Sequence, residues 1–368
     1  MNDFSVNVVG PRSFATHKER QSTAAFFKAP LGVRFGQADT IAETIEQKIE
    51  KKRQRSIKAR TADWFKAPQW LKEWRTLGEK ITTGFFSLLP ASFFRWIERK
   101  TIFVGNNLSD VKISLEDYKA VANKSANSTE KKIINSIQEV HLDPKGVNSL
   151  AWHVKAKPGK PTFLVSMGNT GSLKNLGTYY LPLMKEGCGV LMYEYPGYGS
   201  THGIPSQDTC THAARKAFDY LATEQKLTPK SDIVLYGCSL GGAVSLQLVD
   251  ALAKESIQPK ALILESTLTR TADVVQHAIK QWLPSWLFPL HKFVQSPFPS
   301  IDVIKNYTGK LLILHGTYDN LMDNSMGAEL YAEAGTHETQ KKFVPMVGYH
   351  NLDNNKTSEE ILKFIKTL

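Results

Sequence analysis

The stretch Gly237-Cys238-Ser239-Leu240-Gly241-Gly242 sets a serine among small residues, directly after the apolar run DIVLYG (232–237). The spacing G-x-S-x-G suits a sharp strand-to-helix turn that pushes the serine side chain clear of the backbone. A serine hydroxyl is a weak nucleophile until a base takes its proton, and that base needs an acid to orient it. For such a turn the partners follow along the chain as acid, then histidine. Of the ten histidines, only His337 and His350 lie beyond the run KLLILHG (310–316) and its loop. His350 is the better base, because it follows the run KKFVPMVG (341–348), whereas His337 precedes that run. Asp319, three residues after Gly316, is the candidate acid. Asp323 reads as a helix cap, and Glu265, at the end of ALILES, is a less favoured substitute.

A reaction at a carbonyl also needs donors for the developing oxyanion. The backbone N–H groups of Leu240, opening the helix after the serine, and of Asn169, in the turn after TFLVSMG (162–168), are the candidate pair. Cys238 reads as a small packed residue with no base assigned to it.

These residues need a frame. The runs TFLVSMG, GVLMYEYPGYG (189–199), DIVLYG, ALILES (261–266), KLLILHG and KKFVPMVG read as strands, mostly with helical patterns between them. IINSIQEVHL (133–142) and NSLAWHVKA (148–156) read as a pair of strands, and a helix is expected around 207–224. Continuous apolar strands alternating with helices predict an α/β fold, a mostly parallel sheet covered on both faces. In such sheets the sites lie at the carboxyl ends of the strands, where each candidate falls.

The basic charge is concentrated at one end. Residues 1–100 hold 19 Lys and Arg against 10 Asp and Glu, while the other 268 hold 27 against 25. Residues 1–130 are expected to form a mostly helical, basic and aromatic extension, and 131–368 the catalytic domain. DTIAETIEQKIEKKRQRSIKAR, from Asp39, has the helical period, and its tail at 51–60 carries six positive charges. Residues 64–104 contain Trp64, Trp70, Trp74 and Trp96 among several phenylalanines. Two readings stay open: a helical subdomain packed on the main domain, or an interfacial element in which residues 51–100 meet an anionic membrane. Nucleic-acid binding is not expected, since no nucleic-acid motif accompanies the charge.

Other chemistries lack their signatures. The segment PGYGSTHG (196–203) has His202 where a dinucleotide fingerprint needs its third glycine, and no phosphate-binding G-x-x-x-x-G-K-[ST] occurs. Cys188, Cys210 and Cys238 are isolated, which argues against a disulfide framework or a zinc site. No metal or cofactor is expected. With no secretory signal and no spanning helix in view, the expected location is cytoplasmic or peripheral to a membrane.

The segments FLVSMGNTGS, LMYEYPGYGSTHGIPS, IVLYGCSLGGAVSLQL, ALILEST, LLILHGTYD and VGYHN together resemble the alpha/beta-hydrolase superfamily. Within it they are similar to the membrane-associated serine hydrolases that include protein depalmitoylases. The resemblance covers about 133–368. It implies Ser239 as nucleophile, Asp319 as acid and His350 as base, with oxyanion donors at Asn169 and Leu240. Two positions depart from the family pattern: Met167-Gly168 stands where His-Gly is usual, and Glu194-Tyr195-Pro196 lacks the arginine that usually precedes GYG. A basic aromatic extension on a hydrolase also resembles secreted effectors of intracellular bacteria, which would place the protein in a host cell.

The expected reaction is acyl transfer to water, on an acyl ester or thioester. Residues 267–309, with Trp282, Trp286 and Phe288, are expected either to pack a connecting helix or to form a short lid lining an acyl groove. The rival expectations are a non-catalytic membrane- or protein-binding module on the same fold, and a serine peptidase.

Overall fold

The computed structural model describes residues 80–107, 114–280 and 290–368, apart from Phe85 and Pro144. The helix expected from Asp39, the basic run 51–60 and the lid aromatics Trp282, Trp286 and Phe288 lie outside the described residues. All described residues fall in one compact unit, Trp74–Leu368.

Among the described residues, eight strands form a single sheet: β1 (Gln138–Leu142), β2 (Ser149–Val154), β3 (Thr162–Ser166), β4 (Gly189–Tyr193), β5 (Ile233–Cys238), β6 (Ala261–Glu265), β7 (Leu311–Gly316) and β8 (Lys341–Met346). Their order is β1-β2-β4-β3-β5-β6-β7-β8. β2 runs antiparallel to β1 and β4, and every later pairing is parallel. The parallel core reads as unbroken apolar sequence because both faces are covered. Phe163, Leu164, Leu262, Ile263, Leu312 and Ile313 are completely buried, and burying one such side chain contributes roughly 1.5–3 kcal/mol. The edge strand β1 has three exposed residues of five.

One departure from expectation lies at the amino end of the sheet. Residues 133–136, read as strand, belong to a helix. Three helices that precede β1 are α1 (Ala91–Thr101), α2 (Leu115–Ser125) and α3 (Ser128–Ser136). Asn127 and Glu130 cap α3 reciprocally: the Asn127 side chain accepts from the Glu130 amide, and the Glu130 carboxylate from the Asn127 amide. That capping box outweighs the β preference of Ile133 and Ile134, and strand begins only at Gln138.

The remaining long helices are α4 (Gln207–Asp219), α5 (Leu240–Lys254), α6 (Thr271–Lys280), α7 (Asn324–Glu333) and α8 (Asn354–Ile365). The helix expected around 207–224 is α4 continued by a π turn, Tyr220–Glu224. α4 and α5 pack against each other over β3–β5. α8 packs with the short helix Leu181–Lys185. Phe103, Tyr118, Ile134 and Ile137, all upstream of β1, share one hydrophobic core with the sheet.

Candidate active site

Ser239 sits between the end of β5 and the start of α5 with φ 55° and ψ −122°, backbone angles that a residue with a Cβ adopts only under strain. The neighbours make the turn possible. A Cβ at Gly237 would strike the Gly241 and Gly242 backbone, and one at Gly241 the backbone of Ser166 on β3. Hydrogen bonds fix the peptide on both sides: the Ser239 amide donates to the Glu265 carbonyl at 2.8 Å, and the Ser239 carbonyl accepts from the Thr267 hydroxyl at 2.7 Å.

The loops after β7 and β8 deliver the partners. His350 Nε2 lies 3.0 Å from Ser239 Oγ, and His350 Nδ1 lies 2.8 Å from Asp319 Oδ2. The carboxylate at Asp319 requires Nδ1 to carry the proton, which leaves Nε2 as acceptor for the serine hydroxyl. Asp319 is itself fixed: Oδ1 accepts from the amides of Leu321 at 3.0 Å and Met322 at 2.9 Å. Burial alone would raise its pKa, but hydrogen bonds from His315 and His350 outweigh that and hold it well below the usual carboxylate range.

His315, at the end of β7, reads in the sequence only as a strand residue. Its Nε2 lies 3.0 Å from the Met322 carbonyl and 3.4 Å from Asp319 Oδ2, so it braces both the acid and the turn that carries it. Thr267 likewise stands outside the G-x-S-x-G motif. The sequence signal for both is their place, at or just beyond the carboxyl ends of β7 and β6.

The competing candidates are otherwise engaged. Asp323 caps α7, its carboxylate accepting from the Ser325 amide at 3.0 Å. Glu265 takes a hydrogen bond from the Tyr236 hydroxyl, and burial pushes its pKa up. His337 is exposed at the start of the 3-10 turn Glu338–Gln340. The half-buried Cys238 thiol is pushed well above its ordinary pKa by desolvation and by the carboxyls of Glu265 and Asp319, which disfavours the thiolate a sulfur nucleophile would need.

The turn after β3 lies against the serine. A Cβ at Gly168 would stand 3.4 Å from Ser239 Cβ and 3.9 Å from its Oγ. Three carbonyls hold this turn in place: Met167 accepts from the Tyr195 hydroxyl at 2.8 Å, Gly168 from the Gly171 amide at 3.0 Å, and Asn169 from the Gly105 amide at 2.7 Å. Leu240 is the first residue of α5, where an N–H has no partner within the helix. The segment 194–201 is a structural knot. The buried Glu194 carboxylate accepts from Ser200 N, Thr201 N and Thr201 Oγ1 at 2.9–3.1 Å, and His202 beyond it is exposed.

A cleft lined by Val249, Ala253, Ile257, Val303 and Tyr307 lies at the far end of α5, with no histidine or cysteine in its lining. Among the described residues no group of His, Cys, Asp and Glu could hold a metal ion, and no helix is long and apolar enough to cross a membrane.

A sequence model of the alpha/beta hydrolase fold matches residues 161–302. Alpha/beta hydrolase domain-containing protein WAV2 of Arabidopsis thaliana is 31% identical over 226 residues, 59% of this chain and 72% of that protein. Alpha/beta hydrolase domain-containing protein 17B of Homo sapiens is 31% identical over 191 residues, 51% of this chain and 60% of its own length. Protein 17C of Xenopus laevis is 30% identical over 202 residues, 54% and 60% of the two chains. The chain thus spans well under two thirds of these animal relatives. Among solved structures, an alpha-beta hydrolase from Vibrio vulnificus superposes with a TM-score of 0.57 at 18% identity, covering 73% of this chain and 93% of its own. An esterase from Pyrococcus furiosus gives 0.51 at 18%, covering 66% and 94%. At that identity the two structures speak to the fold alone.

Proposed function

The chain belongs to the alpha/beta hydrolase family, and on that premise we propose that it is a serine hydrolase cleaving carboxylic esters or thioesters of acylated substrates. The continuous chain of hydrogen bonds from Ser239 through His350 to Asp319, at 3.0 and 2.8 Å, carries this reading.

In the proposed mechanism His350 Nε2 takes the proton of Ser239 Oγ as that oxygen attacks the acyl carbon. Asp319 stabilises the imidazolium that forms. The tetrahedral oxyanion is held by the N–H groups of Asn169 and Leu240, with the N-terminal dipole of α5 behind the latter. Collapse expels the alcohol or thiol, which takes its proton from His350. Water, activated by the same histidine, then hydrolyses the acyl-enzyme.

The rim supports an acyl substrate. Tyr318 and Tyr349 flank the acid and the base in sequence, are exposed, and hold their ring centroids 6.2 Å apart. A membrane surface is the proposed place of action: Leu88 is 82% exposed, and Trp96, 54% exposed, follows the exposed Arg95 in sequence. Aromatic and aliphatic side chains next to a cation suit an anionic lipid interface.

The test is turnover of p-nitrophenyl esters and acyl-thioesters of increasing chain length, with and without anionic vesicles. The expected result is a rise in kcat/KM with chain length and a further rise on vesicles. Turnover restricted to short esters, with no vesicle binding, would contradict the acyl-substrate reading.

A further inference from the structure

Residues 91–107 touch two segments that are far apart in sequence, 293–298 and the turn after β3. Phe94 of α1 is buried and stacks on Phe293, ring centroids 4.8 Å apart and planes within 10°. One turn on, Glu98 is also buried, and its Oε1 accepts the amides of Gln295 and Ser296. The chain then turns: the amides of Ile102 and Phe103 donate to the Glu98 carbonyl at 2.7 and 3.1 Å. Phe103, fully buried, faces Phe298 with centroids 6.3 Å apart. Two residues later the Gly105 amide donates to the Asn169 carbonyl at 2.7 Å.

Gly105 has no room for a side chain: a Cβ there would meet the Tyr198 ring and stand 2.8 Å from the Asn169 oxygen. The other carbonyls of the turn, on Met167 and Gly168, are held from within the sheet domain. Asn169 alone is held from the N-terminal side, and its own N–H is the proposed oxyanion donor.

We propose that residues 91–107 form a strap in which Gly105 is a positioning residue for the Asn169 oxyanion donor, anchored at its other end by Glu98. The N-terminal extension is then part of the catalytic apparatus, not an appendage to it. The strap rests on the reading of Ser239 as nucleophile. It acts on the transition state, because an oxyanion donor displaced by a fraction of an ångström still admits substrate but stabilises the tetrahedral intermediate less.

The experiment is steady-state kinetics of the full chain on a short soluble ester, with amide hydrogen exchange on the same proteins. In Gly105→Ala the added methyl pushes on Tyr198 and the Asn169 carbonyl. The expected result is a fall in kcat of about 10- to 100-fold with KM within about twofold. The midpoint of the acid limb of kcat/KM should stay in place, since His350 and Asp319 are untouched. Glu98→Ala should show a smaller loss of the same kind and faster exchange in the peptide covering 165–173. Glu98→Gln, which keeps an acceptor at Oε1, should restore both. Wild-type kcat in folded Gly105→Ala, or a loss accompanied by a shifted pH midpoint, overturns the proposal. If Gly105→Ala does not fold, the Glu98 pair decides, and unchanged kcat and exchange in Glu98→Ala overturn it. A wild type without turnover contradicts the reading of Ser239 instead. The strap is then judged by exchange alone, with unchanged exchange at 165–173 in Glu98→Ala as the overturning result.

Discussion

His350 Nε2 lies 3.0 Å from Ser239 Oγ across 111 residues of sequence, while the thiol of Cys238, one residue from that serine, has its pKa pushed up by desolvation and by two nearby carboxyls. Sulfur is the stronger nucleophile in solution, yet the turn gives the base to oxygen. The fold does this by setting β7 beside β6 and β8 beside β7, so that the loops after β7 and β8 bring Asp319 and His350 to Ser239.

Asp319→Asn should leave the fold intact and cripple turnover. The amide side chain cannot hold His350 with its proton on Nδ1, so Nε2 no longer accepts from Ser239. The expected loss in kcat is about 10³- to 10⁴-fold, measured on a short ester with KM followed in parallel. A loss under about tenfold would move the acid role elsewhere, with Glu265 the group to test next.

Stability should fall between about pH 6.5 and pH 4 because of His153. This histidine lies buried on β2, its Nδ1 3.3 Å from the Tyr220 hydroxyl. Burial, with help from Lys155, lowers its pKa to about 4. The unfolded chain, with a pKa near 6.5, binds a proton that the folded chain refuses, so the contribution is complete above pH 6.5 and lost as the pH drops through 4. The size is about 3 kcal/mol at most. Urea midpoints measured across that range should slope steeply in the wild type and less in His153→Gln; equal slopes would refute the assignment.

The strain at Ser239 gives a prediction for two inactive variants. Ser239→Gly relieves the positive φ that Ser239→Ala keeps. The glycine variant should be more stable than the alanine one by about 1 kcal/mol, even though glycine normally costs stability. Thermal midpoints of the two decide the sign, and a glycine variant less stable than the alanine one would remove strain from the account of the turn.

Much of this was legible in the sequence because the site is built at strand ends, and strands in a covered parallel sheet announce themselves as apolar runs. Ser239, Asp319 and His350 each follow such a run, and the structure brings the three together. Residues that act through long-range contact gave no such signal. Gly105 looks like any loop glycine until Asn169 and Tyr198 arrive beside it, and Glu98 reads as one acid in a basic segment until the chain returns at Gln295. His315 was hidden by its position inside an apolar run. Residues 133–136 differ in carrying a local signal: Asn127 and Glu130, three residues apart, spell the start of a helix ahead of two isoleucines that otherwise suggest strand.

The central claim, that Ser239 is the nucleophile, is tested most directly by reacting the folded protein with a fluorophosphonate and locating the adduct by mass spectrometry. The account predicts a single adduct on Ser239, absent from Ser239→Ala and His350→Ala and retained by Cys238→Ala. An adduct on Cys238, or none on wild-type protein that is demonstrably folded, would contradict it.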